Sequence, residues 1–170
     1  MKENRKLTTR DMVFAGVLAA ICTVATTIKI PLGVGAMVHL GTAAIFTTAI
    51  VFGGIYAGLA GAIGSALFDL IMGFSPYTLW SFFIKGGAGL IAGTIARGLW
   101  PAPPQNGWLL RALFGCVAAA TWTLGGYILA WWQVTGSLTV AIGNIPASLL
   151  TSGAGLVVAL ILSPKLRKML

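Results

Sequence analysis

The sequence predicts an all-α integral membrane protein of six transmembrane helices, with both termini in the cytoplasm. The first observation is composition: of 170 residues, 58% are hydrophobic and only 8% are charged, whereas an average soluble domain is roughly 25% charged. The second is length, because one span takes about 20 residues, so six spans fill a single membrane domain over 1–170. The third is the placement of the basic residues. Soluble enzymes, disordered proteins and disulfide scaffolds are excluded.

The basic residues orient the chain in the bilayer, since Lys and Arg are enriched in cytoplasmic segments of membrane proteins. They form three clusters: the segment 2–10, the pair Arg97 and Arg111, and the segment 165–168. Clusters on the same side are separated by an even number of spans. No charged residue lies between the second and third clusters, which fits two helices, and the longer stretch 11–96 fits four.

The individual spans follow from the apolar runs. They are expected at 12–28, 40–52, 54–72, 77–96, 109–132 and 138–163. The first is expected to be a retained helix, because its apolar run is longer than the core of a typical signal peptide. The pair Gly53-Gly54 is expected to form the turn after the short second span. Pro146 is expected to open the last span locally, near Asn144.

Small residues recur at four-residue spacing in three of the spans. The strips are Ala15 and Ala19, Gly54 and Gly58, and Gly89 and Gly93. Such strips let membrane helices approach each other closely. We expect the two glycine strips to serve internal packing, whereas the alanine strip on the first helix is equally suited to receive a helix of a different protein.

The ionisable residues outside the basic clusters fall in the outer half of the membrane. Lys29 and His39 flank the first outer loop, and Asp69 and Lys85 have similar depth on consecutive antiparallel helices. Charges at membrane depth are costly and are usually paired or functional. We therefore expect a structural ion pair between Asp69 and Lys85, with ligand contact as the alternative. Lys29 and His39 are expected to be interfacial residues, again with ligand contact as the alternative.

A further candidate ligand residue is Asn144, because an amide in an apolar helix needs a hydrogen-bonding partner. Aromatic residues accompany it on the outer side: Phe74, Tyr77, Trp80, Phe82, Phe83, Trp131 and Trp132. A pocket of few polar groups with aromatic walls suits a small planar ligand, and an interfacial aromatic belt explains the same residues equally well. The loop 29–39 contains two glycines and a proline and is suited to closing over a ligand.

Several kinds of chemistry are not expected. The chain lacks the glycine-rich phosphate loop of ATPases, and one His with three acids makes a metal site improbable. Ser65 and His39 differ in depth, which rules against an intramembrane serine nucleophile. We therefore expect no catalytic residues, no metal and no cofactor. The net charge of +8 orients the helices rather than binding nucleic acid.

Three stretches carry a resemblance to a known family. They are His39-Leu-Gly-Thr-Ala-Ala, Gly61-Ala-Ile-Gly-Ser-Ala-Leu-Phe-Asp69 and Phe83-Ile-Lys85-Gly. With six short helices and the alanine strip, they resemble the S components of energy-coupling factor (ECF) transporters, in the branch that handles B-vitamins and their precursors. The resemblance implies an S-component-like bundle in the cell membrane that captures a vitamin at the outer face and delivers it by toppling in the membrane.

The resemblance also implies partners and site residues. The partners are a transmembrane coupling subunit, which docks on Ala15 and Ala19, and two cytoplasmic ATPases that supply the energy. The implied ligand contacts are His39, Trp80, Lys85, Trp132 and Asn144. The aromatic residues and the amide favour a small heteroaromatic, such as hydroxymethylpyrimidine or a vitamin B6 form. Pantothenate or another B-vitamin is the alternative if Asp69 neutralises the lysine.

Two other classes of function remain open at this point. In a proton-coupled porter, Asp69 is the titrating group; against it, a neighbouring Lys85 keeps that carboxyl ionised, and the halves of the chain show no inverted repeat of the kind common in porters. A purely structural subunit of a larger complex accounts for the small-residue strips. It leaves the outer polar cluster without a role.

Overall fold

The computed structural model describes residues 7–31, 37–101 and 106–169, and almost all of them are helical. The helices are α1 (Thr9–Thr27), α2 (Gly41–Phe52), α3 (Gly54–Ile71), α4 (Thr78–Ala96), α5 (Trp108–Thr135), α6 (Leu138–Gly143) and α7 (Ile145–Met169). A short antiparallel hairpin, β1 (Lys29–Pro31) with β2 (Met37–His39), joins α1 to α2. One 3-10 turn, Ser75–Tyr77, precedes α4.

Within the described residues, five helical segments are long and apolar enough to cross a membrane: Thr9–Thr27, Gly54–Ile71, Ser75–Ala96, Trp108–Thr135 and Leu138–Met169. The remaining apolar helix, α2, has 12 residues, which corresponds to about 18 Å at a rise of 1.5 Å per residue. That is well short of the roughly 30 Å hydrocarbon core of a bilayer. The predicted all-α, multi-pass membrane fold is confirmed, with α2 as its short member.

Local chemistry explains where the helix ends differ from the predicted spans. α1 begins at Thr9 because Thr8 caps it: the Thr8 side chain accepts the Asp11 N–H, and the Asp11 carboxylate accepts the Thr8 N–H at 3.0 Å. α5 runs on to Thr135 and ends at Gly136, whose φ of 67° is the usual left-handed helix ending. α7 continues through Pro164 to Met169, beyond residue 163, where the predicted span ends.

The turn between α2 and α3 forms at Gly53, as the sequence predicts. Its φ is 86°, a conformation that glycine adopts without strain. The first N–H groups of α3 have no partner within the helix; Gly54 and Ile55 donate theirs to the carbonyls of Gly98 and Leu99 at 3.0 and 2.9 Å. The connection after α4 therefore closes the end of α3.

The glycine strips of α3 and α4 lie in the interface between these two helices. A Cβ added to Gly89 would collide with the backbone of Ala57, and one added to Gly58 would lie 2.6 Å from Cγ of Leu90. Without side chains at these positions the two backbones come into direct contact, which is how small residues stabilise helix pairs in lipid. The prediction of internal packing for both strips is confirmed.

The alanine strip of α1 also faces the interior, which contradicts its predicted role as a docking surface. Ala15 and Ala19 are each 2% exposed, and Ala15 belongs to a buried apolar cluster that includes Tyr56 and Ala60 of α3. A Cβ on Gly64 of α3 would lie 2.7 Å from the carbonyl oxygen of Ala19. Small residues with the same spacing occur one position later in the helix, and that face is exposed. It carries Val13, Gly16, Val17, Ala20, Ile21 and Val24.

Candidate ligand-binding site

A cavity of about 220 Å³ lies at the end of the bundle that holds the β-hairpin and the 3-10 turn. α1, α3 and α5 end near it, and α2, α4 and α6 begin near it, so the start of α1 and the end of α7 lie at the opposite end. All seven helices except α2 contribute to the cavity wall, together with β2. The site is thus built from segments that are distant in sequence and converge at one end.

Much of the wall comes from helical positions four residues apart, which share a face. Such a stripe on α5 comprises Thr123, Tyr127, Trp131 and Thr135. A second comprises Tyr77, Ser81 and Lys85, and a third comprises Asn144, Ser148 and Ser152. These stripes are the signal in the sequence that identifies the cavity-facing sides of three helices.

Lys85 is the buried cation of the site, with 4% of its surface exposed. Its ammonium donates to Oγ1 of Thr42 on α2 at 3.0 Å and lies 5.4 Å from the centre of the Tyr127 ring. The Tyr127 hydroxyl is 2.9 Å from Oγ of Ser81, one helical turn before the lysine. Neighbouring helices thus hold the lysine in a defined position with its charge at the cavity.

Asp69 lines the same cavity and is 8% exposed. The predicted ion pair with Lys85 does not form, because the lysine turns to Thr42, whose helix packs against its own. Oδ2 of Asp69 is buried and has no hydrogen-bond partner in the described part of the chain. Among the described residues that line the cavity, Lys85 and Asp69 thus supply a cation and an anion that are not joined to each other.

His39 closes the hairpin and reaches the cavity as a neutral imidazole. Its Nδ1 accepts the N–H of Gly41 at 3.2 Å, which assigns the ring proton to Nε2. Burial lowers the pKa of His39 to about 3, and the positive charges of Lys85 and Lys29 add to this effect. The Nε2–H group is thus a hydrogen-bond donor throughout the physiological pH range.

The hairpin is fixed over the site from both sides. Oγ1 of Thr151 on α7 donates to the carbonyl of Met37 at 3.2 Å. On the other side, the ammonium of Lys29 lies 5.3 and 5.5 Å from the ring centres of Phe68 and Phe74. A loop that closes over the ligand is predicted at 29–39, and its residues 32–36 lie outside the described part of the chain.

Two stacked aromatic pairs form walls of the cavity. Phe68 and Phe74 have ring centres 6.2 Å apart with an interplanar angle of 28°, and Tyr127 and Trp131 have centres 5.4 Å apart at 29°. Flat aromatic faces of this kind are favourable surfaces for stacking a planar ring.

Of the five predicted ligand residues, His39, Lys85 and Asn144 line the cavity. Asn144 lies between α6 and α7, so the last span opens where the sequence predicts, next to Pro146. A helix interruption frees backbone groups that a continuous helix would use.

The two predicted tryptophans do not line the cavity. Trp132 is 47% exposed and turned away, and Trp80 is only half-buried. In both cases the adjacent residue lines the cavity instead, Trp131 for the first and Ser81 for the second. Adjacent helical positions differ by about 100° in direction, so a one-residue shift moves the side chain out of the site.

Comparison with known proteins identifies a family and two relatives that this chain resembles. Residues 6–168 match the family model of the ECF-type riboflavin transporter, S component. The chain is 30% identical over 142 residues to the thiamine precursor transporter HmpT of Lactococcus lactis subsp. cremoris, covering 84% of this chain and 76% of that protein.

A second relative is similar over a shorter region. It is a protein of Pyrococcus woesei described as "Uncharacterized protein in gap 3'region", 36% identical over 78 residues, which is 46% of this chain and 51% of that protein. The chain thus spans about half the length of this relative. The family match covers nearly every residue of the chain, and the helices are those of a multi-pass membrane protein. The chain therefore belongs to the S components of ECF-type riboflavin transporters, and it is a transporter component rather than an enzyme.

Proposed function

We propose that this chain is the high-affinity substrate-binding subunit of an ATP-driven ECF importer for a small heteroaromatic vitamin or precursor. Hydroxymethylpyrimidine and a vitamin B6 form are the first candidates. The observation that carries the proposal is the cavity itself, which combines two stacked aromatic pairs with the buried ammonium of Lys85. The likeness to a thiamine precursor transporter supports the same substrate class.

The size of the cavity favours a single-ring substrate. Its volume of about 220 Å³ lies below the roughly 300–1,000 Å³ of pockets for drug-sized ligands. A fused three-ring compound such as riboflavin needs more room than a pyrimidine or pyridine. The substrate in the family's name is thus a less good fit to this chain than a small ring.

The polar groups suit such a ring along its edge. Lys85, the Nε2–H of His39 and the amide of Asn144 are donors to ring nitrogens or hydroxyl oxygens, while the aromatic walls contact the ring faces. The carboxylate of Asp69, whose Oδ2 has no hydrogen-bond partner among the described residues, makes the site unfavourable for an anion such as pantothenate, because like charges repel strongly at low dielectric.

We place the cavity at the outer side of the membrane. Arg97, Arg111 and Arg167 lie at the end of the bundle opposite the cavity, together with Arg10 at the start of α1. Basic residues concentrate on the cytoplasmic side of membrane proteins. The site then faces the medium, and both termini lie in the cytoplasm, as the sequence analysis expected.

The partners are those of an ECF module: a transmembrane coupling subunit and two cytoplasmic ATPase subunits. For the contact with the coupling subunit we propose the exposed face of α1, on which Gly16 and Ala20 form a strip of small residues between larger apolar ones. Such a strip lets a second helix approach closely in lipid. This surface replaces Ala15 and Ala19, which the packing against α3 buries.

The proposal is tested with the purified subunit alone in detergent. Hydroxymethylpyrimidine, pyridoxine, pyridoxamine, pantothenate and riboflavin are titrated while tryptophan fluorescence is recorded. We expect saturable quenching at nanomolar concentration by one single-ring compound. Trp131→Phe should abolish most of the signal and Trp132→Phe should retain it, because only the first ring lines the cavity. Failure of every compound to bind the folded protein would contradict the proposal.

A further inference from the structure

Asp69 presents a buried hydrogen-bond acceptor that the described chain leaves unused. Its side chain lines the cavity and is 8% exposed, and Oδ2 has no partner among the described residues. Buried polar atoms in folded proteins are almost always hydrogen-bonded, and an unpaired carboxylate oxygen is especially unfavourable. A group that approaches Oδ2 from within the cavity therefore gains most if it donates a hydrogen bond.

The nearby donors of the protein do not hydrogen-bond to Oδ2 of Asp69 in the described part of the chain. The ammonium of Lys85 donates to Thr42, and the hydroxyls of Ser81 and Tyr127 hydrogen-bond with each other. His39 keeps its ring N–H at Nε2, because Nδ1 accepts the N–H of Gly41, and no hydrogen bond among the described residues joins it to Oδ2 of Asp69. None of these donors hydrogen-bonds to Oδ2 of Asp69 in the described part of the chain, so that oxygen is available to a donor on a substrate in the cavity.

We propose that Asp69 determines the specificity of the site by accepting an N–H group of the substrate. This inference rests on the proposed function and narrows its substrate class to heteroaromatic rings that carry an amino group, as in an aminopyrimidine. An exocyclic amino group beside a ring nitrogen presents donors that a carboxylate recognises with strong, charge-assisted hydrogen bonds.

The remainder of the cavity complements the rest of such a ring. Donors from Lys85 and His39 face the cavity together with the acceptor Asp69, so a substrate with donors on one edge and acceptors on another matches both. A ring with a carbonyl oxygen in place of the amino group would point an acceptor at the carboxylate. That arrangement leaves two acceptors facing each other, which recognition sites reject strongly.

The test compares two ligands that differ in one group. The aminopyrimidine alcohol and its analogue with a carbonyl oxygen in place of the amino group are titrated into the purified wild-type subunit in detergent. We expect the amino compound to bind roughly 10- to 100-fold more tightly, the range for a hydrogen bond to a charged group. Equal affinities would overturn the inference for Asp69 and leave the proposed function intact. If neither compound binds but the protein is folded, the proposed function itself fails.

Two variants then assign the selectivity to the carboxylate. Asp69→Asn offers an amide with both a donor and an acceptor, so the affinity ratio between the two ligands should fall to within a few-fold of one. Lys85→Met should weaken both ligands and keep their ratio, because the lysine does not contact the amino group. A full ratio in Asp69→Asn would overturn the assignment. If that variant does not fold, Asp69→Ser, which also removes the carboxylate, is titrated in its place, and a full ratio in that variant would overturn the assignment equally.

Discussion

Leucine substitutions at two neighbouring positions of α1 should affect different properties of this protein. Ala19→Leu should impair its folding, and Ala20→Leu should impair its assembly with a coupling subunit. Ala19 is 2% exposed, and its backbone lies against Gly64 of α3. Extra carbons in a packed site cost about 1–3 kcal/mol, and α3 has no side chain there that is able to move aside. At about 1.4 kcal/mol per tenfold change, Ala19→Leu should reduce the ratio of folded to unfolded protein by roughly 10- to 100-fold.

Ala20 faces away from the bundle, so Ala20→Leu meets no neighbour within the subunit. Substitutions at such positions usually change stability by less than about 0.5 kcal/mol, and leucine is nearly as good a helix former as alanine. In a complex, the added side chain would keep a partner helix from approaching Gly16 and Ala20 closely. We expect this variant to fold and bind ligand normally and to assemble poorly.

Three measurements on each variant check this. Thermal unfolding in detergent reports stability, fluorescence titration reports ligand affinity, and co-purification with a tagged coupling subunit and its ATPases reports assembly. Ala19→Leu should unfold at lower temperature, while Ala20→Leu should lose at least about tenfold in co-purified complex with ligand affinity unchanged. The reverse result, a stable Ala19→Leu that fails to assemble beside an Ala20→Leu that assembles normally, would refute the assignment of the two faces.

Three further predictions concern the bundle and the cavity. Gly89→Ala should destabilise the bundle by about 3 kcal/mol or more, because the added Cβ would collide with the backbone of Ala57. Gly125→Ala, which has open space around it, should keep the wild-type unfolding temperature. Equal unfolding temperatures for the two variants would contradict the close α3–α4 contact. Lys85→Met should reduce ligand affinity at least about tenfold, since it removes a charged donor; an unchanged titration would contradict its role. The free energy of unfolding should fall as pH drops below about 6.5, because between that pH and the folded-state pKa of His39 near 3 this histidine gains a proton only on unfolding. Thermal unfolding at several pH values should therefore show a weaker decline for His39→Gln than for the wild type. An identical decline in both proteins would contradict the neutral, buried state of His39.

The sequence predicts the helical architecture well because lipid imposes strict rules on a spanning chain. Apolar runs gave the helices, Gly53 gave the turn between α2 and α3, and Pro146 marked the opening of the last span. The hairpin of β1 and β2 was not predicted, since strands of three residues carry too few positions to show an alternating pattern. Pro164 did not end α7, because a proline removes only one backbone donor from a long helix.

The sequence predicted the position of the site residues along each helix, but not which side of the helix each residue faces. Depth depends on distance along a helix, which the sequence contains, and it brought Asp69 and Lys85 to the same cavity. Whether they touch depends on competing partners such as Thr42 on α2, a contact between residues 43 positions apart that periodicity does not show. The choice of Trp132 over Trp131 has the same origin. The stripe of Thr123, Tyr127, Trp131 and Thr135 would have corrected it.

The position of the cavity depends on where the glycine-containing segments of α3 and α4 end. From Gly54 to Gly64 on α3 the helix has a glycine every three or four residues, and α4 has its glycines from Gly86 onward. These segments face each other in the antiparallel pair, and a Cβ on Gly61 would lie 2.5 Å from the carbonyl oxygen of Lys85. Beyond that point both helices carry larger side chains, which need space between the backbones. The same pair of helices is therefore tightly closed toward the basic end and open toward the hairpin, so that a rigid glycine contact supports the substrate site without entering it.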